Sequence, residues 1–153
     1  MDKPVLLDLY CGAGGAAKGY QRAGFYVIGV DINPQPDYCG DEFIQMSVMD
    51  MTVEDIKCCI RPKAAHASPP CPGEGFLSKG TDKSLAEKHP RLINPTRDLL
   101  ERTGLPYVIE NVGGSDVRGD VVLCGEMFGL GVIMHRKFEL GGWSVEQIGR
   151  AHV

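Results

Sequence analysis

The sequence has no surplus of basic residues: its 153 positions hold 16 Lys and Arg against 20 Asp and Glu, a formal net charge of −4. A chain with that balance has no overall attraction for a polyanion, so any nucleic-acid contact must be local. The six cysteines, at Cys11, Cys39, Cys58, Cys59, Cys71 and Cys124, include no C-x-x-C pair and no second Cys or His at zinc spacing. That excludes a zinc finger and a small disulfide scaffold and favours a reduced, cytoplasmic setting. Long apolar runs are missing as well. The run that starts at Val5 is cut by Asp8 and then by glycines, so it reads as neither a signal peptide nor a membrane span. There is no internal repeat and no low-complexity segment. What is abundant is Gly and Pro, 20 and 10 residues, which predicts tight turns and backbone-lined sites rather than a helical bundle. At 43% hydrophobic and 24% charged residues the chain can bury a core, and its length fits one domain.

Short apolar runs alternate with helical patterns. Residues 5–10 read as a strand buried on both faces, followed by a Gly-rich turn into a helix with Ala16, Ala17, Tyr20 and Ala23 at helical spacing, stopped by Gly24. Residues 25–30 predict a second strand ended by Asp31, 43–46 a third, 53–60 a short helix stopped by Arg61-Pro62, and 64–67 a fourth strand before Ser68-Pro69-Pro70. Residues 71–88 are polar and glycine-rich without a period, a long loop after a strand and therefore a functional candidate. A helix ending at Gly104, a strand over 106–109 closed by Glu110-Asn111, and short strands at 121–124 and 137–140 complete the pattern. The fold class expected is α/β, Rossmann-like, a mostly parallel sheet with helices on both faces and ligands at the carboxyl ends of the strands.

Gly12, Gly14 and Ala17 have G-x-G-x-x-A spacing between the first strand and its helix, and Asp31 follows Gly12 by 19 residues at the end of the next strand. Glycines let the backbone approach a ligand without a Cβ, and an acid at that interval binds ribose hydroxyls, so a nucleotide-like cofactor is favoured. The loop lacks the Lys and Ser/Thr of a triphosphate-binding loop. Two prolines stiffen the backbone before Cys71 and present one thiol at a strand end, as a nucleophile requires. Glu110 ends the neighbouring strand, which aims a carboxyl at the same cleft. His66, His89 and His135 match no metal spacing, and no metal is expected.

Asp8-Leu9-Tyr10-Cys11-Gly12-Ala13-Gly14-Gly15, Ser68-Pro69-Pro70-Cys71 and Glu110-Asn111-Val112, in this order, resemble the first, fourth and sixth motifs of the cytosine-C5 DNA methyltransferases. Leu123-Cys124-Gly125-Glu126-Met127-Phe128-Gly129-Leu130 looks like the stretch that follows them in bacterial and phage members. Asn94-Pro95-Thr96-Arg97-Asp98-Leu99-Leu100 resembles the helix between motifs four and six. The resemblance covers roughly residues 4 to 140. It implies S-adenosylmethionine as cofactor, with Tyr10, Gly12 and Gly14 in the binding loop, Asp31 on the ribose, Ile32 against the adenine and Asp50 on its amine. It implies that Cys71 adds to C6 of a cytosine flipped out of duplex DNA, that Glu110 holds and protonates N3, and that Arg136 helps bind the base.

The sequence departs from the family in three places. Pro72 follows the nucleophile where the family usually has Gln, and the eighth motif keeps only its second arginine, Arg136, with Met134 in place of the first. The target-recognition domain and closing helix have no counterpart after Leu140. Residues 1–147 therefore read as the front part of a catalytic domain from a restriction-modification system or a phage. Residues 148–153, which match one reading frame of a sequencing adapter, read as a non-native tail. An RNA cytosine methyltransferase and an inactive cofactor-binding fragment are the alternatives. The isolated chain is expected to bind duplex DNA no better than a generic acidic domain.

Overall fold

In the computed structural model of the chain, residues 2–70 and 91–145 are described. Cys71, the long loop expected over residues 71–88 and the tail expected at 148–153 lie outside the described residues.

Among the described residues seven strands form one sheet: β1 (Val5–Leu9), β2 (Tyr26–Asp31), β3 (Glu42–Gln45), β4 (Ala64–Ala67), β5 (Tyr107–Val112), β6 (Val121–Cys124) and β7 (His135–Gly141). Their spatial order is β3-β2-β1-β4-β5-β7-β6. The first five are parallel, β7 inserts antiparallel beside β5, and β6 pairs antiparallel with β7 and so runs with the rest. The chain leaves β1 toward one edge and returns to β4 on its other side, so the strand order reverses between β1 and β4. In an open parallel sheet that reversal opens a crevice at the carboxyl ends of the strands.

Period-2 alternation sorts the strand residues onto two faces. Leu6, Val27 and Ala64 share one face and pack with Ala17 and Tyr20 of helix α1 (Gly15–Arg22). Leu7, Leu9, Ala65, Ala67, Tyr107 and Ile109 share the other, beneath Leu99 and Leu100 of helix α2 (Ile93–Thr103) and Ile56 of a wide π-type turn, Asp55–Ile60. This is the expected mostly parallel sheet covered on both sides.

Several boundaries differ from the sequence reading. Asp31 is the last residue of β2 rather than the first beyond it, and Glu110 and Asn111 lie inside β5 rather than closing it. The cause of the second difference is tertiary: Glu110 pairs with Phe138 and Asn111 with Lys137 on β7, which extends the strand past its apolar stretch. His66 is a core histidine. Its Nδ1 lies 2.8 Å from Asp8 Oδ1, its register partner on β1, and both residues are buried beneath the Tyr20 ring. Burial and the Asp8 charge push the Tyr20 phenol up to about 12.

Gly29, opposite Asp8 on β2, makes room for this polar pocket. A Cβ there would fall on the Tyr38 ring and on Cys11 Sγ, 2.7 Å away. Gly19, exposed in the middle of α1, has open space around its Cα. Opposite outcomes are therefore expected from the same substitution. Gly29→Ala should destabilise the fold by about 2–3 kcal/mol through overpacking, whereas Gly19→Ala should stabilise it by about 0.5–1 kcal/mol by restricting the unfolded chain. Urea denaturation of the two variants measures both; equal midpoints would contradict the packing described.

Candidate functional site

At the crevice, the turn leaving β1 has three residues in left-handed backbone: Tyr10 (φ 59), Gly12 (φ 50) and Gly14 (φ 92). Gly14 must be glycine, because a Cβ would press on Cys39 Sγ and the Tyr38 ring at 3.0 Å each. For Tyr10 this conformation costs about 1–3 kcal/mol, so the surroundings must hold it. They do so through the Tyr10 carbonyl, which accepts Ser68 Oγ at 3.2 Å, and through its hydroxyl, 2.8 Å from Thr96 Oγ1.

Asp31 closes the turn from β2. Gly12 N donates to Asp31 Oδ2 at 3.0 Å and Asn33 N to Oδ1 at 2.9 Å, so one carboxylate ties the glycine loop to the next strand end. Ile32, beside it, is 64% exposed. Asp50 is exposed in the short turn Val48–Asp50 after β3. Tyr10, Gly12, Gly14, Asp31, Ile32 and Asp50 thus all follow or end parallel strands at one edge of the sheet.

The second cluster lies on the other side of β4. Glu110 on β5 and Arg136 on β7 project from the same face, and Arg136 Nε is 3.0 Å from Glu110 Oε1 in a half-exposed ion pair. Asn111, on the opposite face and buried, donates Nδ2 to the Pro69 carbonyl at 2.8 Å. Ser68 N donates to Leu9 O at 3.2 Å. The backbone entering position 71 is therefore fastened to both neighbouring strands. Among the described cysteines, Cys11 is a poor nucleophile, because burial, with the Asp8 and Asp31 charges, pushes its thiol up to about 12.

Sequence reasoning missed the brace behind this cluster. Glu139 is fully buried on the α2 face of β7. Arg97 of α2 donates to it twice, Nε to Oε1 at 2.6 Å and Nη2 to Oε2 at 2.8 Å, and the Arg118 amide donates to Oε2 at 3.0 Å. A bidentate guanidinium on a buried carboxylate is the geometry that offsets its desolvation. The only local signal was slight, a carboxylate between Phe138 and Leu140. Asn111 and Thr96 were legible only as motif neighbours; their bonds run to Pro69 and Tyr10, far off in sequence. Among the described residues no group of three or more His, Cys, Asp or Glu could hold a metal ion, and no helix is long and apolar enough to cross a membrane.

The chain is similar in structure to the Dnmt2 methyltransferase of S. pombe, with a TM-score of 0.66 and 19% identity over 95% of this chain and 51% of that one. It is also similar to an RNA methyltransferase from Salinibacter ruber in complex with S-adenosyl-L-homocysteine, with a TM-score of 0.52 and 15% identity over 94% and 84% of the two chains. A hypothetical protein from Thermus thermophilus is similar as well, with a TM-score of 0.55 and 14% identity over 88% and 73%. At these identities the likeness is one of fold, and the fold is the Rossmann-like fold of S-adenosylmethionine-dependent methyltransferases. The chain spans about half the length of the S. pombe protein. No protein-family model and no curated protein matches it.

Burial raises the pKa of Glu139, but the Arg97 hydrogen bonds, the Arg118 amide and both arginine charges more than offset it, leaving the carboxyl below its ordinary 4.5. A depressed folded-state pKa gives stability that is complete above about 4.5 and is lost as pH falls through the lower folded value. Urea midpoints followed downward from neutral pH should therefore drop below that point. Arg97→Leu, which leaves the buried carboxylate only the Arg118 amide and the Arg118 guanidinium at 3.5 Å, should cost about 3 kcal/mol at neutral pH. An unchanged midpoint in that variant would show that the pair contributes nothing.

Proposed function

We propose that the chain carries the cofactor loop and the nucleophile of a methyltransferase that transfers a methyl group from S-adenosylmethionine to C5 of cytosine in DNA. The observation that supports this most directly is the arrangement around β4. The Gly12–Asp31 bond stands on one side, the Glu110–Arg136 pair on the other, and between them Asn111 holds the Pro69 carbonyl two residues before Cys71.

The residues present fit the cofactor. Gly12 has a left-handed backbone and open space at its Cα. Asp31 keeps acceptor capacity beyond its two backbone bonds, since an ionised carboxylate offers about four lone-pair sites. Ile32 exposes an apolar surface suited to a flat ring. On this reading Tyr10, Gly12 and Gly14 line the cofactor, Asp31 takes the ribose hydroxyls, Ile32 packs on the adenine and Asp50 accepts its amine. When bound, the cofactor supplies an electrophilic methyl group.

The protein's own steps concern the base. The Cys71 thiolate adds to C6 and the displaced electron pair enriches C5, while Glu110 holds N3 and protonates it, limiting the charge in the ring. Arg136 fixes the Glu110 carboxylate through the 3.0 Å pair. After C5 is methylated, loss of its proton to a base restores the C5–C6 double bond and expels Cys71 as thiolate, and N3 returns its proton to Glu110. Duplex DNA with a flipped cytosine is the partner proposed. An RNA substrate would use the same chemistry, and one of the similar structures is named an RNA methyltransferase.

Two measurements test the reading. Asp31→Ala should weaken S-adenosylmethionine binding by calorimetry at least tenfold, or about 1.4 kcal/mol, because charge-assisted hydrogen bonds contribute roughly 1.5–3 kcal/mol each. Asp31→Asn, which keeps an acceptor for Gly12 N, separates ribose binding from loop support. For the chemistry, the chain joined after Leu140 to the recognition half of a family member is mixed with DNA containing 5-fluorocytosine. A covalent complex should form, vanish in Cys71→Ser and form about 10²–10³-fold more slowly in Glu110→Gln. Trapping by Cys71→Ser would refute the nucleophile, and trapping of 5-fluorocytosine RNA alone would move the substrate to RNA.

A further inference from the structure

Tyr10 is bonded to both chain segments that border residues 71–90. On the amino side its carbonyl accepts Ser68 Oγ at 3.2 Å, one step before Pro69. On the carboxyl side its hydroxyl meets Thr96 Oγ1 at 2.8 Å, and Thr96 is fully buried in the first turns of α2. The ring already packs against the main apolar cluster, a contact that a Phe ring would keep. What the hydroxyl adds is a hydrogen-bond partner for the buried Thr96 side chain, and among the described residues it is the one Thr96 Oγ1 has. Burial raises the phenol pKa, and the Thr96 bond only partly opposes this, so the phenol stays protonated around neutrality. The residue after Thr96 is Arg97, whose guanidinium grips Glu139 on β7, three positions from Arg136.

We infer that Tyr10 is a positioning residue: its hydroxyl couples the glycine loop to the first turns of α2, so that filling the loop is felt at Thr96 and Arg97. This rests on the reading of the glycine loop as the cofactor site. The left-handed Tyr10 backbone lies two residues from Gly12 in a turn whose geometry Asp31 holds from the other end. A ligand that orders this turn orders Tyr10, and through the 2.8 Å bond the buried Thr96. The coupling is reciprocal, so losing it should loosen cofactor binding by the same factor.

The experiment is amide hydrogen exchange on the whole chain with and without saturating S-adenosylhomocysteine. The ligand should slow exchange of the amides from Thr96 to Thr103 about fivefold. That increment should vanish in Tyr10→Phe and in Thr96→Val, and return in Thr96→Ser, which restores the hydroxyl. Affinity should fall by about the same factor in the first two variants. A purely structural role would speed exchange equally in the free and bound states and leave the increment intact; that result, or equal increments in wild type and Tyr10→Phe, overturns the coupling. Failure of the wild-type chain to bind S-adenosylhomocysteine overturns the cofactor reading and the coupling with it. Binding without any change at α2 overturns the coupling alone.

Discussion

The parallel direction of the strands is the constraint on which the rest of the molecule depends. Each parallel strand must be followed by a crossover to the far end of the sheet, so every strand exit emerges at the same edge. Tyr10 after β1, Asp31 at the end of β2, Ser68 after β4 and Val112 at the end of β5 are neighbours for this reason, although they span more than a hundred positions of sequence. The reversal of order between β1 and β4 then decides where the edge opens. A glycine loop is tolerated at that opening because backbone groups there can bond to adjacent strand ends, as Gly12 does to Asp31 and Cys11 to Val30.

The two sides of the site are held by different physics. On the β1–β2 side the links are backbone amides to one carboxylate, short and local to the sheet edge. On the β5–β7 side the links are side-chain ion pairs on opposite faces of β7, Arg136 with Glu110 on one and Arg97 with Glu139 on the other. The first pair is half-exposed and screened by solvent, so its value is geometric rather than a large contribution to stability. The second is buried, and removing Arg97 leaves the Glu139 carboxylate with only Arg118 to compensate its charge. The strand carrying Arg136 is thus anchored from behind by a bond that cannot be given up cheaply, while Arg136 remains accessible in front.

Much of the fold was legible in short patterns. The apolar run at Val5, the glycine spacing and the helix stop at Gly24 mark β1 and α1, because local backbone requirements decide them. The end of β5 was not legible: Glu110 and Asn111 are polar, and only the β7 partners Phe138 and Lys137 make them strand residues. His66 carried no local sign of burial, since its environment comes from Asp8, its register partner 58 residues earlier, and from Tyr20 above it. Nothing local marks Arg97 and Glu139 as a pair for the same reason, since 42 residues separate them.

By itself the sequence determined the alternation of strands and helices, the glycines that stop helices and make tight turns, and the residue types that can do chemistry at positions 31, 71, 110 and 136. These follow from steric and periodic rules that act over a few residues. The tertiary structure alone decided which of these residues meet: Asp31 with Gly12, Glu110 with Arg136, Asn111 with Pro69, and Tyr10 with Thr96. Those pairings depend on strand order and register, which are set when buried faces pack and buried polar groups find partners, and no local pattern encodes that choice.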